Sequence, residues 1–118
     1  MEDMEYPAWA DDTNCAITVC DADCRIIYMN EKSRQVNARF GEPVGHDLME
    51  YHGEKARGII RRLLDTGGVN CYTIEKKGVK KMIYQSAWRR GGKVAGLVEI
   101  SMEIPAVMEH YVRNDMSM

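Results

Sequence analysis

No segment of this 118-residue chain is apolar for long enough to cross a membrane. Nor is there an excess of positive charge. Sixteen Lys and Arg stand against eighteen Asp and Glu, for a net charge of −2 and a pI near 5.9. A nucleic-acid-binding face needs a basic excess, so that class of partner is excluded. The Lys76-Lys77, Lys80-Lys81 and Arg89-Arg90 pairs flank expected hairpin turns and read as solvated loop charge. The opening MEDMEYPAWADD is acidic and lacks the basic-then-apolar order of a secretion signal, so a cytoplasmic location is the default. There is no nucleophile motif, no Gly-rich phosphate loop and no HExxH, and the expectation is a protein that is not an enzyme.

Cysteine is present, at 15, 20, 24 and 71, but without a CxxC pair and with no His near the first three. That spacing gives no zinc site. Cys20 and Cys24 flank a turn and come close if it is a hairpin. A redox pair there competes with the commoner role of cysteine as a small semi-apolar filler.

What the chain does have is ordered patterning. Residues 16–30, AITVCDADCRIIYMN, read as two short strands around the acidic turn Asp21-Ala22-Asp23-Cys24. Ile17 and Val19 alternate with Thr18 and Cys20, and 25–29 is rich in β-branched and aromatic side chains. Asn30 then suits the N-cap of a helix running to about Phe40, where Gly41 and Pro43 stop it. A short helix or turn over 7–14 precedes the first strand, with Trp9 as its large apolar side chain. An irregular or one-turn segment, 44–52, follows the Asn30 helix.

The clearest helix spans 54–66. Ala56, Ile59, Ile60, Leu63 and Leu64 share one face, Arg57, Arg61, Arg62 and Asp65 the other, and Gly67-Gly68 ends it. Three strands in hairpin order follow, over 70–76, 79–88 and 94–104. The last alternates cleanly, with Val94, Gly96, Val98, Ile100, Met102 and Ile104 on one side. Such a pattern implies an antiparallel strand with one buried face. Strand 79–88 is apolar on both faces, Met82, Tyr84 and Trp88 opposing Val79, Ile83 and Ala87. Pro105 ends the strands, and a short helix over 106–113 is expected before a frayed tail. The fold class is α+β. Two hairpin modules join into one five-stranded antiparallel sheet, the first and last strands pair centrally, and the helices lie on one face.

The turn and the RIIYMN that follows it resemble the opening of a PAS sensor domain. So do NCYTIEKKGVKKMIYQSAW and GLVEISMEIP, which are similar to a subfamily of small bacterial PAS-like sensors. The likeness covers roughly residues 10–104. Two positions depart from it: Cys24 stands where many PAS turns carry Gly, and Gly53 follows His52 where Pro is expected. The resemblance implies an N-terminal cap (1–15), a PAS-like domain (16–104) and a C-terminal segment (105–118). It implies a sensory or regulatory role, with output through protein association.

Two functions follow from that likeness. In the first, a small apolar ligand lodges between helices and sheet. The expected lining is Val19, Ile27, Phe40, Leu48, His52, Ile60, Leu64, Ile74, Ile83 and Val98. In the second, the core is filled and the domain is a dimerisation module, with Trp9, Met82, Tyr84 and Trp88 as the interface. No cofactor is assigned. Asn70-Cys71 lacks the Arg and Gln that follow the flavin-reactive Cys of light-sensing PAS domains. A haem needs one axial His, for which His52 and His46 are the candidates, but a His before a helix more often caps or tethers a loop. Inward polar groups are few, with Tyr84, Gln85 and Ser86 the contributors considered.

Overall fold

A computed structural model describes residues 6–114. Strands β1 (Ala16–Asp21), β2 (Ile26–Met29), β3 (Val69–Lys76), β4 (Val79–Arg90) and β5 (Lys93–Glu103) form one antiparallel sheet in the order β2-β1-β5-β4-β3. The first and last strands therefore pair at its centre, Val19 opposite Val98 and Cys20 opposite Leu97. Helix α1 (Ala8–Asp12) precedes β1, and helices α2 (Glu31–Val36) and α3 (Glu54–Thr66), which follow β2, are joined through 3-10 turns at Ala38–Phe40 and Leu48–Tyr51. The α+β expectation and its strand pairing hold.

Local chemistry sets these elements. Asp21 closes the first turn by accepting from the Asp23 and Arg25 amides at 3.0 and 2.9 Å. Cys24 occupies that turn at φ 66°, the left-handed conformation for which Gly is the usual choice. Its side chain is buried in the core, which accounts for a residue larger than Gly. Asn30 caps α2 as expected, accepting from the Ser33 amide at 3.0 Å. α3 ends on Gly67 at φ 71°, whose amide returns to the Leu63 carbonyl at 2.8 Å.

The core lies between α3 and the sheet. Cys20, Ile26, Met29, Leu48, Ile60, Leu63 and Leu97 form it, with Ile59 and Leu64 packed against it. At edge strand β2 a loop covers the backbone: the Ile26 amide donates to the His46 carbonyl, and the Gly45 amide to the Ile26 carbonyl. β3 is the open edge, exposed along nearly its whole length.

Two expectations need correction. The residues from 106 to 113 form no helix, and their apolar side chains Val107, Met108, Tyr111 and Val112 are exposed rather than laid on the domain. The tail at 115–118 and the first five residues lie outside the described set. The clean apolar row of β5 does not face the helices. Register places Leu97, Glu99 and Ser101 on the helical side, and Val98, Ile100 and Met102 on the outer face. Alternation alone fixes that a strand has two faces, not which one the helices take.

Candidate functional site

Beside the core, between the sheet's inner face and the two 3-10 turns, lies a half-open cleft of about 150 Å³. Its apolar wall is Ile26, Met29, Pro43 and Leu48, with Phe40 and Tyr51 in edge-to-face contact at a centroid distance of 5.0 Å. Its sheet wall is polar, formed by Thr18 and Glu99, with Asn37, Arg39 and His52 completing the lining. The volume falls below the roughly 300–1,000 Å³ typical of drug-sized pockets, so a small occupant fits and a large one requires opening.

The polar wall is ordered by a chain of side chains across three strands. Glu99, Gln85 and Asn70 are register neighbours on β5, β4 and β3. Gln85, 3 % exposed, donates from Nε2 to Glu99 Oε2 at 2.9 Å, and Asn70 Nδ2 donates to Gln85 Oε1 at 2.9 Å. A carboxylate only accepts, so Glu99 fixes both amide orientations in sequence. Thr18 and Ser33 share a hydroxyl contact of 2.6 Å beside this row. The negative charge of Glu99 is felt nearby: Tyr72 is pushed above the ordinary phenol range by burial first and by Glu99 second.

The far wall is fixed by α3 and the loop before it. His52 Nδ1 lies 2.9 Å from the Leu48 carbonyl, which can only accept. Nδ1 therefore carries a proton, and in the neutral ring Nε2 is the acceptor. Arg57 shares its Nε–H between the Met49 carbonyl (2.9 Å) and the His52 carbonyl (2.8 Å). These bonds hold the segment before α3, where Gly53 supplies no side-chain cap.

Of the ten residues expected to line a pocket, Phe40, Leu48 and His52 come together in this cleft. Ile60 is fully buried in the core, Leu64 packs against it, and Ile83 is buried on the inner face of β4. Val19 and Val98 sit opposite each other on the outer face, because β1 and β5 turn Cys20 and Leu97 inward. Ile27 is exposed. It is the extra residue of a β-bulge, where Val19 pairs with Tyr28 but Cys20 with Ile26, so Ile26 takes the core position. Ile74 pairs with Lys81 far along the β3–β4 hairpin and stays exposed. The expected apolar lining therefore becomes one apolar wall facing one polar wall. Glu99, Thr18 and Arg57 escaped sequence reasoning. Glu99 was visible as a polar residue opposite Gln85 once the strands were in register.

Of the four residues expected at an interface, Met82 and Tyr84 lie on the outer sheet face beside Ile100 and Met102. Trp88 shares that face but is half-buried, donating from Nε1 to the Cys20 carbonyl at 3.1 Å. Trp9 is 75 % exposed on α1. A smaller recess of about 90 Å³ near the start of β1 is lined by Lys32, Lys81 and Glu103, mixed charge on long rotatable side chains. Cys20 and Cys24 are free thiols, as are Cys15 and Cys71. Burial pushes the Cys20 thiol up to about 12, and burial followed by the nearby Asp47 raises Cys24. Among the described residues no cluster of His, Cys, Asp and Glu has metal-binding geometry, and no helix is long and apolar enough to cross a membrane.

A five-stranded antiparallel sheet with short helices over one face, and a cleft between them, is the arrangement of a sensory fold. A family model described as the PAS fold matches residues 10–106, and the chain belongs to the PAS family. The PAS domain of histidine kinase ThkA is 18 % identical, with 75 % of this chain covering 97 % of that one at TM-score 0.63. A PAS domain from Colwellia psychrerythraea is 17 % identical, with coverages of 81 % and 91 % and TM-score 0.64. The VqmA dimer of Vibrio cholerae is 13 % identical over 86 % of this chain and 52 % of that chain, at TM-score 0.66. At these identities the likeness is one of fold. No curated protein shows a significant match.

Proposed function

We propose that this PAS domain is a cytoplasmic sensory module, without catalytic activity of its own, that takes a small molecule into the cleft beside Glu99. The observation that supports this most is the polar row Asn70–Gln85–Glu99 on the helix-facing side of β3, β4 and β5. Filled cores place apolar side chains there, since polar groups lose solvation on burial. Here a carboxylate stands at the border of a cleft instead. Native mass spectrometry of gently purified protein, with a thermal-shift screen of small metabolites, tests the reading. A bound small molecule, or a stabiliser whose effect is lost in Leu48→Trp, supports it. A mass equal to the bare chain and no stabiliser in the screen argue against it.

Output through self-association is the second part of the reading. Ile17, Val19, Met82, Tyr84, Val98, Ile100 and Met102 share the outer sheet face. A two-fold dimer buries the same patch twice. One solved protein of this fold, VqmA of Vibrio cholerae, is a dimer, and others are parts of histidine kinases. Sedimentation at micromolar concentration tests this part, with Tyr84→Glu as the variant that splits a dimer. A wild-type monomer at that concentration removes it.

A further inference from the structure

The cleft's recognition groups are unequal, and their inequality points to a ligand chemistry. This inference rests on the reading that the cleft binds a small molecule.

Glu99 is half-buried, and only one of its oxygens is engaged. Oε2 accepts from Gln85, while Oε1 has no protein donor among the described residues. The amide chain behind it runs one way, each NH2 pointing towards Glu99, so it supports a carboxylate and supplies no proton to the cleft. Across the cleft, His52 uses its Nδ1 proton on the Leu48 carbonyl, which leaves Nε2 as a second acceptor. Arg39, the cation on the lining, is exposed and stacked 4.5 Å over the Phe40 ring. Its charge is screened by water, whereas that of Glu99 is much less so. The remaining surface, Phe40, Tyr51, Leu48 and Met29, offers apolar and aromatic contact. Such a cleft accepts hydrogen bonds on its polar side and packs a compact apolar body on the other.

We propose that the occupant is a small organic cation, a protonated amine or amidine on a compact apolar or aromatic body. Its N–H groups bond to Glu99 Oε1, and its body lies against Phe40 and Leu48. Anionic ligands are disfavoured because the half-buried carboxylate repels them.

Three isosteric probes test this: benzylamine, benzyl alcohol and benzoate, titrated into isotopically labelled full-length protein and followed by amide chemical shifts. Benzylamine should move and saturate the Phe40, Leu48 and Glu99 resonances, and the other two should not. In Glu99→Gln, which still accepts from Gln85, its affinity should fall about tenfold or more, as expected for a lost charge-assisted hydrogen bond. A salt titration of the wild type gives a second readout, because a charge-based contact weakens as salt rises. Equal or stronger shifts from benzyl alcohol or benzoate would overturn the cation assignment while leaving a ligand-binding cleft. So would benzylamine affinity that is flat with salt or unchanged in Glu99→Gln. No shift from any probe at millimolar concentration sinks both the assignment and the ligand-binding reading.

Discussion

The indole of Trp88 crosses over Gly96 to reach the carbonyl of Cys20, joining β4 to β1 across the strand between them. Gly96 makes that crossing fit. A Cβ there would run into the Cys20 carbonyl oxygen and the Trp88 ring nitrogen, and the first of these is backbone that cannot swing away. Gly96→Ala should cost about 2–3 kcal/mol by overpacking, measured by urea melts. Trp88→Phe should cost about 1–2 kcal/mol, since it keeps a ring over Gly96 and loses the hydrogen bond. Equal stability of Gly96→Ala and wild type would show that the indole does not lie there. A Trp88 variant is also a poor probe of dimerisation, because it damages the chain that would dimerise.

α3 should dominate the stability of the helical layer. Ile60 and Leu63 are 0 % and 2 % exposed, so truncation leaves a cavity as well as lost burial. Ile60→Ala and Leu63→Ala should each cost about 2–5 kcal/mol. Values under about 0.5 kcal/mol for both would place them outside the core.

Asn30 uses its whole side chain. Oδ1 accepts from the Ile17 and Ser33 amides, and Nδ2 donates to the Ala10 and Cys15 carbonyls. Asn30→Ala should therefore cost more than a simple cap, about 2 kcal/mol or more, because several groups lose their partner at once. It should also loosen α1, seen as faster amide exchange at 8–12. A loss confined to the first turn of α2 would contradict this account.

Alkaline pH should weaken the fold through two buried groups. Burial raises the Cys20 thiol from the ordinary 9.0 to about 12, and burial with the Asp11 hydrogen bond raises Tyr28 from 10.0 to about 12. In each case the native state holds its proton where the unfolded chain has released it. Stability from these groups is thus complete below about pH 9 and is lost as pH rises towards 12. Urea melts at pH 8, 9.5 and 10.5 should show a falling midpoint, flattened in Cys20→Ala between the lower two. Alkylation should reach exposed Cys71 first and the buried thiols after unfolding.

Much of the fold could be read along the chain. Period-two and period-3.6 patterns gave β1 to β5 and α3, and Asn30 and Gly67 marked helix ends through local hydrogen bonding and backbone freedom. Which way a face points was harder. Val98 and Ile100 are more apolar than Glu99 and Ser101, yet the latter pair faces the helices. The Ile27 bulge, the Trp88 crossing and the Glu99–Gln85 bond depend on register between distant strands, which no local window contains. The polar wall of the cleft was hidden for the same reason, while Phe40, Leu48 and His52, neighbours in sequence, were found.

The strand order carries a consequence for how the chain is made. β5, the last of the five strands to be synthesised, is the one that sits at the centre, between β1 and β4. On the ribosome, β1 and β2 must wait as a solitary hairpin, which is marginal in water, until β5 has emerged. Closing the sheet joins residue 16 to residue 101, and a contact so distant along the chain is won late and slowly. A chain that stops between β4 and β5 therefore yields two hairpins with exposed edges rather than a smaller domain, and such a fragment should aggregate instead of folding.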